Sequence, residues 1–394
     1  MFTHDDKGGV AIAVAPAFPL VIGGAVMGVE VGYWRFDQVR LQQAADAAAY
    51  AGAVVQRANG SGASDAASAA ASSNGYSSTT DTITVNMPSS QTPTDTGSVE
   101  AVISRTETPI FTRYFTSSPT VIRARATASF STAANACILA LSPSASSAVN
   151  FAGSSSLNLN ACVVMSDSIA SDSFNMQGAS SASAPCIYAV GGASLGGSLD
   201  LTTCTSVKTA QPPVADPYGS LAMPSITGPC TNPANSGSLS AGHYCSMTLQ
   251  NNVTLAAGVY VIDGGAMKVN ANANVSGSGV TIYLVNGATL TMNGNSHIDL
   301  TAPTSGTYAG LVMINDRANS NQIKINGDDT SSMTGVIYAP ASPVTYIGNF
   351  SGAGGCTQIV ARTVSWSGNA SFSSDCSAAG MPPVQVGSVV RLAR

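Results

Sequence analysis

Two different periodicities divide this chain. Val10 to Val29 forms a run of twenty residues with no charged side chain, and Leu41, Ala44, Ala45, Ala48, Gly52 and Val55 then recur at three- and four-residue intervals. At about 1.5 Å per residue the first stretch is long enough to cross a bilayer core of roughly 30 Å. The second predicts a helix with one smooth apolar face, so a membrane segment at 10–34 should continue outwards as one extended helix. Pro16 and Pro19 fall inside the apolar run and predict a kink or a tilted entry. Residues 59–75 are rich in Ser, Ala, Gly and Asn, the composition of a flexible connection or a frayed small-residue helix. Thr82–Asn86, Ser98–Ser104 and Thr120–Ala128 alternate apolar and polar positions between turn formers, the pattern of half-buried strands. Helix and strands together define a small α+β unit over 35–135, pilin-like by analogy.

A repeat then takes over. Apolar-Xaa-apolar-Xaa-Gly begins at Val149, Phe174, Leu290, Ile323, Val344 and Val364, with relaxed copies at Met247 and Met267. Neighbouring starts on either side of a proline-rich break lie 25, 20, 23, 33, 21 and 20 residues apart, and the longest gap contains an inserted loop at 301–310. Such a period with short strands and Gly or Asn turns marks a solenoid. A leucine framework is missing, so the fold class expected for 136–376 is an all-β right-handed parallel β-helix. Some nine or ten coils, with strands about 4.8 Å apart, make a rod on the order of 45 Å long. Gly and Asn suit the corners because they accept left-handed backbone. Pro212, Pro213, Pro217, Pro224, Pro229 and Pro233 interrupt the pattern at 205–235, predicting a loop that crosses the rod or separates two blocks. Residues 1–9 read as a cytoplasmic tail and 377–394 as a C-terminal tail.

Composition places the repeat outside the cytosol. Charged residues are 9% of the chain, and Lys208, Lys268, Arg317 and Lys324 are the only Lys or Arg between Ala126 and Ala361, which excludes a basic groove for nucleic acid there. Eight cysteines, Cys137, Cys162, Cys186, Cys204, Cys230, Cys245, Cys356 and Cys376, all follow the apolar run. An even number on one side of a membrane predicts disulfides in an oxidising space, with the N-terminus cytoplasmic and the bulk periplasmic or surface-exposed. No Cys-Xaa-Xaa-Cys pair exists and His4, His243 and His297 are scattered, so neither a metal nor a cofactor is expected. Cys137, Cys162 and Cys186 open similar apolar segments at offsets of 25 and 24, matching the offset of the Val149 and Phe174 motifs. This predicts a Cys137–Cys162 bridge across the first two coils, guarding a terminal coil, followed by Cys186–Cys204, Cys230–Cys245 and Cys356–Cys376.

Gly9-Val10-Ala11, Pro19, Glu30 and the run Leu41-Gln42-Gln43-Ala44-Ala45-Asp46-Ala47-Ala48-Ala49-Tyr50-Ala51-Gly52-Ala53 together resemble the N-terminal segment of TadE/TadG-like Flp pilus-assembly proteins. The resemblance covers about an eighth of the chain, and the weakly basic start departs from it. It implies a single-pass inner-membrane protein that assists pilus assembly or adhesion, with other pilus-assembly proteins as partners. Pro19, Glu30, Leu41, Ala44, Ala45, Asp46, Ala48 and Gly52 are the positions it carries over. The Asp-Xaa-Ser-Xaa-Ser metal motif of larger relatives is missing, and Ala13 and Val14 stand where a processed pilin has Glu. Glu30, at the outer end of the segment, should reach headgroups or a basic partner. The small-residue face from Leu41 suits pilus machinery or the chain's own next domain equally well.

His297, Asp299, Asp316, Arg317, Asp328 and Asp329 are the side chains on the rod from which an active site would be built. Paired carboxylates serve acid–base chemistry or calcium, whereas the same residues also cap turns and form local surface pairs. With no nucleophile triad, phosphate loop or calcium repeat, the expectation is a non-enzymatic accessory protein. A polysaccharide-processing β-helix and a purely structural envelope spacer are the alternatives. A surface glycan is a further partner of the rod that the sequence leaves open.

Overall fold

Helix α1 (Ala17–Asn59) leads into α2 (Ala63–Ser73) and then into strands β1 (Asp81–Asn86), β2 (Thr96–Glu107) and β3 (Thr120–Ala140). The computed structural model describes residues 17–59, 62–87, 96–114, 118–350, 356–374 and 384–393. Two compact units are present, 1–132 with 388–394, and 133–387.

In the first unit β2 pairs antiparallel with both β1 and β3. Alternation along the strands puts Val99, Ala101 and Ile103 with Ala124, Ala126 and Ala128 into one buried cluster with Leu41, Ala44, Ala45, Ala48, Ala49 and Ala53 of α1. The small-residue face of α1 is therefore spent on the chain's own sheet. Close approach is the reason for its composition: a Cβ on Gly52 would sit 3.0 Å from Val99 Cγ1. Residues 63–73 form a helix rather than a flexible link, since Ala63, Ala67 and Ala71 recur at four-residue intervals and are buried. A buried ion cluster ties helix to sheet. Arg105 donates through Nε and Nη2 to Asp81 at 2.6 and 2.9 Å and through Nη1 to Asp37 at 3.1 Å. Burial alone would raise the Asp81 carboxyl, but the Arg105 fork, the Ser77 N–H and the Thr80 hydroxyl hold it below its ordinary value.

The second unit is β-rich and solenoid-like, built from parallel strands on three faces. On the first face the hydrogen-bonded order is Gly242–Tyr244, Gly258–Asp263, Val280–Val285, Leu311–Asn315, 335–339, 357–361, 136–140, Val163–Ser166 and Ile187–Ala189. The second face repeats the order: 363–366 pairs with Val149–Phe151, which pairs with Phe174–Met176 and then Ala193–Leu195. On the third, Ser371–Ser374 pairs with Ser156–Leu159, then Ser181–Ala184 and Ser198–Leu201. The stack thus does not follow the chain. Coils of 237–374 come first, and the coil opened by Cys137 lies against the last of them, in the interior of the rod. The expectation that Cys137–Cys162 guards a terminal coil is corrected accordingly.

Residue patterns explain the faces. Second-face strands such as Met247–Leu249 and Ile323–Ile325 alternate inward apolar with outward polar residues. First-face strands such as Val280–Val285 and Leu311–Asn315 are apolar almost throughout and buried on both sides, as in covered parallel sheets. Their outer side is covered by Tyr218, Val214, Leu221 and Met223 of the proline-rich segment and by Val384 and Val386. The segment therefore crosses the rod's surface. It also adds one bridge to each end strand of this face, Lys208 beside Tyr188 and Thr231 beside Tyr244. Covered ends blunt the unpaired edges of a solenoid. Gln385–Ala393 is a strand and not a loose tail.

The corners carry the predicted left-handed residues. Asn251, Asn272 and Asn295 have φ of 59°, 60° and 62°, and the corresponding corners of later coils use Gly348, Gly368, Gly153 and Gly178 at 71–74°. Inside, Trp366 stacks between Phe151 and Tyr346, with centroids at 4.5 and 5.5 Å and planes within 6°.

Candidate functional site

Helix α1 changes character along its length. From Leu41 onwards its apolar face is buried, but Val21, Ile22, Met27 and Val29 are exposed. A Cβ built on Gly23, Gly24, Gly28 or Gly32 meets no atom within 4 Å. Among the described residues no helix is long and apolar enough to cross a membrane. The described helix starts at Ala17, so residues 10–16 of the expected 10–34 span lie outside the described residues. Glu30, Arg35 and Asp37 follow closely on the apolar part. Pro19 occupies the first described turn.

Glu30 does not face headgroups or a basic side chain. It is 2% exposed, and its carboxylate accepts backbone N–H groups of Ile110 at 2.7 Å, Phe111 at 3.4 Å and Thr112 at 2.9 Å. These donors open the short 3₁₀ turn Thr112–Tyr114, whose first amides lack partners of their own. Asp46, expected on the assembly face, accepts from Gln42 Nε2 at 2.9 Å instead. Sequence reasoning missed Arg105 and the Glu30 amide site, because both partners lie far along the chain.

The disulfides join neighbouring coils and close the rod's ends. Cys137 bonds Cys162, Cys186 bonds Cys204 and Cys230 bonds Cys245, with Cα atoms 5.5, 5.2 and 4.9 Å apart. The last two sit at opposite ends of the stack. Cys356 is also disulfide-bonded, while Cys376 lies outside the described residues.

The acidic candidates do not converge. Asp328 Oδ1 lies 3.3 Å from His297 Nδ1 and accepts from Thr330 N and Ser331 Oγ, capping its own turn. Asp299 accepts from Ser332 Oγ, and Asp329 is exposed. Asp316 does not pair with Arg317: it accepts from the Tyr283 hydroxyl at 2.6 Å and from the Ala318 N–H. Arg317 turns to the proline-rich segment, donating to the carbonyls of Tyr218 and Leu221 at 2.6 and 3.0 Å. Beside it the Tyr338 hydroxyl donates to Asp216 at 2.7 Å. Further along, Asp167 accepts the Val214 N–H at 3.0 Å, and burial pushes its carboxyl up to about 7. No group of three or more His, Cys, Asp or Glu side chains able to hold a metal occurs among the described residues.

Residues 222–381 match the family described as "Domain of unknown function (DUF7305)". The match takes in the coils from 237 to 374 and leaves out those between Cys137 and Cys204, which stack on their end. No curated protein and no solved structure matches the chain.

Proposed function

We propose that this chain is a single-pass, membrane-anchored and non-enzymatic accessory protein of a bacterial Flp-type pilus system, holding a disulfide-stapled rod outside the inner membrane. The observation that carries this reading is the division of α1. Its Leu41 face is satisfied by the chain's own sheet, whereas Val21, Ile22, Met27 and Val29 stand exposed, uncovered by the described residues. Exposed apolar surface of that kind is what a bilayer or a neighbouring membrane helix covers. Glu30, bound to backbone amides, marks where such a span would end. The pilus assignment rests on the resemblance of the Leu41–Ala53 run to TadE/TadG-like proteins, in which the α+β unit plays the pilin-like part.

The finer reading of the rod is a right-handed parallel β-helix, supported by the parallel register on three faces and the strong right-handed preference of parallel crossovers. Disulfides between coils favour the periplasm or cell surface as its location. An enzymatic rod would need carboxylates free to act, whereas Asp316 and Asp328 are occupied as turn caps and hydroxyl acceptors.

An in-frame deletion in the source bacterium tests the role. Loss of surface pili or of tight adhesion, restored by the full chain, is expected. Normal pili and adhesion in the deletion strain would refute it.

A further inference from the structure

We propose that the corner between the second and third faces of the rod binds a neutral, unbranched glycan lying along the rod axis. The inference goes beyond the anchored pilus role and holds whether or not the chain is anchored. A groove of about 660 Å³ runs across successive coils at this corner, past Asn295, Asn326, Asp328, Asp329, Asn349 and Asn369. It arises from the change of corner residue. Where Asn295 places a side chain on the corner and Asn326 lies over Gly348, Gly368 leaves bare backbone, and the rod is notched there.

The chemistry of the lining selects the ligand. Among the described residues the lining is amides, carboxylates, Ser371 and glycine backbone, with no Lys, Arg or aromatic side chain, and His297 sits behind Asp328. Asp328 and Asp329 give the groove a negative side, which disfavours phosphate- or carboxylate-rich polymers. A peptide or lipid would find no apolar pocket to anchor it. Hydroxyl-rich, uncharged ligands fit, because the Asn349 and Asn369 amides can each offer two donors and one acceptor oxygen to adjacent hydroxyls, whereas Asn295 Nδ2 is already given to Asn272 Oδ1 at 2.6 Å. Asn349 and Asn369 are exposed, follow equivalent corner glycines on neighbouring coils, and have no hydrogen-bond partner among the described residues. Coil spacing of about 4.8 Å sets these amides apart by a distance comparable to one pyranose unit. The groove is therefore a ruled surface matched to a repeating chain rather than to a single sugar.

Titration calorimetry on the detergent-solubilised full chain tests this, using linear cello-, malto-, laminari-, manno- and chito-oligosaccharides as probes and tetragalacturonate as the anionic control. At least one neutral series should bind saturably, more tightly as the oligomer lengthens from two to four units. Asn349→Ala with Asn369→Ala should weaken binding about tenfold or more without changing the melting temperature. Gly368→Asn is the second variant. A Cβ there makes only ordinary contacts, at 3.7 Å from Gly348 N, and Asn tolerates the φ of 72° as it does at Asn295. It removes no polar group yet fills the notch, and should also abolish binding. Failure of every neutral probe, retention of binding in both variants, preference for tetragalacturonate, or loss of binding in EDTA would each overturn the proposal.

Discussion

The side-chain amide of Gln358 donates to the backbone carbonyl of Ala136 at 2.5 Å, across 222 positions of sequence. One residue on, Ile359 lies in parallel register with Ile138. The last coil of the repeat is thus seated against the first. Gln358 is 5% exposed, so Gln358→Ala leaves a buried carbonyl without its donor and should cost about 1–3 kcal/mol. Urea denaturation measures it, and an unchanged midpoint would speak against this seam. A chain limited to 222–387 should be less resistant to proteolysis over 357–374 than one comprising 133–387, because that coil loses its neighbour.

Different roles are expected of the disulfides. Cys137–Cys162 sits inside the stack, and replacing both by Ala should lower stability by about 3 kcal/mol on the chain-entropy model without exposing either end. Cys186–Cys204 and Cys230–Cys245 hold the two ends, so their removal should admit protease within 186–204 and 230–255 while the middle stays protected. Cleavage beginning in the middle coils would contradict this division.

The aromatic stack offers a test of polar burial. Tyr346 Oη and Trp366 Nε1 are buried without a hydrogen-bond partner among the described residues. Tyr346→Phe removes an unsatisfied hydroxyl and should be neutral or stabilising. Trp366→Ala empties the centre of the stack and should cost about 3–5 kcal/mol. A destabilised Tyr346→Phe protein would mean that the hydroxyl has a partner.

Asp167 should make stability fall as pH rises. Burial lifts its folded-state carboxyl from the ordinary 3.8 to about 7, so between those values the native state holds a proton that the unfolded chain releases. The stabilisation is complete below about pH 3.8 and is lost as pH passes 7, with a slope of at most about 1.4 kcal/mol per pH unit. Asp167→Asn keeps an oxygen for the Val214 N–H and cannot ionise. It should be more stable than the wild type at pH 7.5, with the difference shrinking by pH 4.5, as denaturation at both values would reveal. Equal pH dependence in the two proteins would rule this group out.

Much of the rod was legible because its signals are local. A Gly or Asn corner every coil, inward apolar pairs such as Ile323 and Ile325, and the cysteine offset each report on their own coil or the next. The order of coils is not a local property. Nothing around Ile138 says that Ile359 lies beside it, so the sequence suggested a stack in chain order. The proline-rich segment was recognisable as an interruption, but its attachment depends on Arg317 and Tyr338, which are distant in sequence. On α1 the small-residue pattern predicted close packing and left the partner open, since Ala44 or Gly52 suits a β-sheet as well as another helix. The strand at Gln385–Ala393 had only a weak alternation, Val384 and Val386, to announce it.

Anchorage is the claim on which the proposed function stands, and one fractionation measures it. The full chain, carrying a C-terminal tag, is expressed in a Gram-negative host, and its membranes are extracted with alkaline carbonate. Spheroplasts of the same cells are treated with external protease. The protein should stay in the carbonate-washed membrane, protease should remove the tag, and Ile22→Glu with Met27→Glu should release the protein. Wild-type protein in the carbonate supernatant, or a tag reached by protease only after lysis, would contradict anchorage.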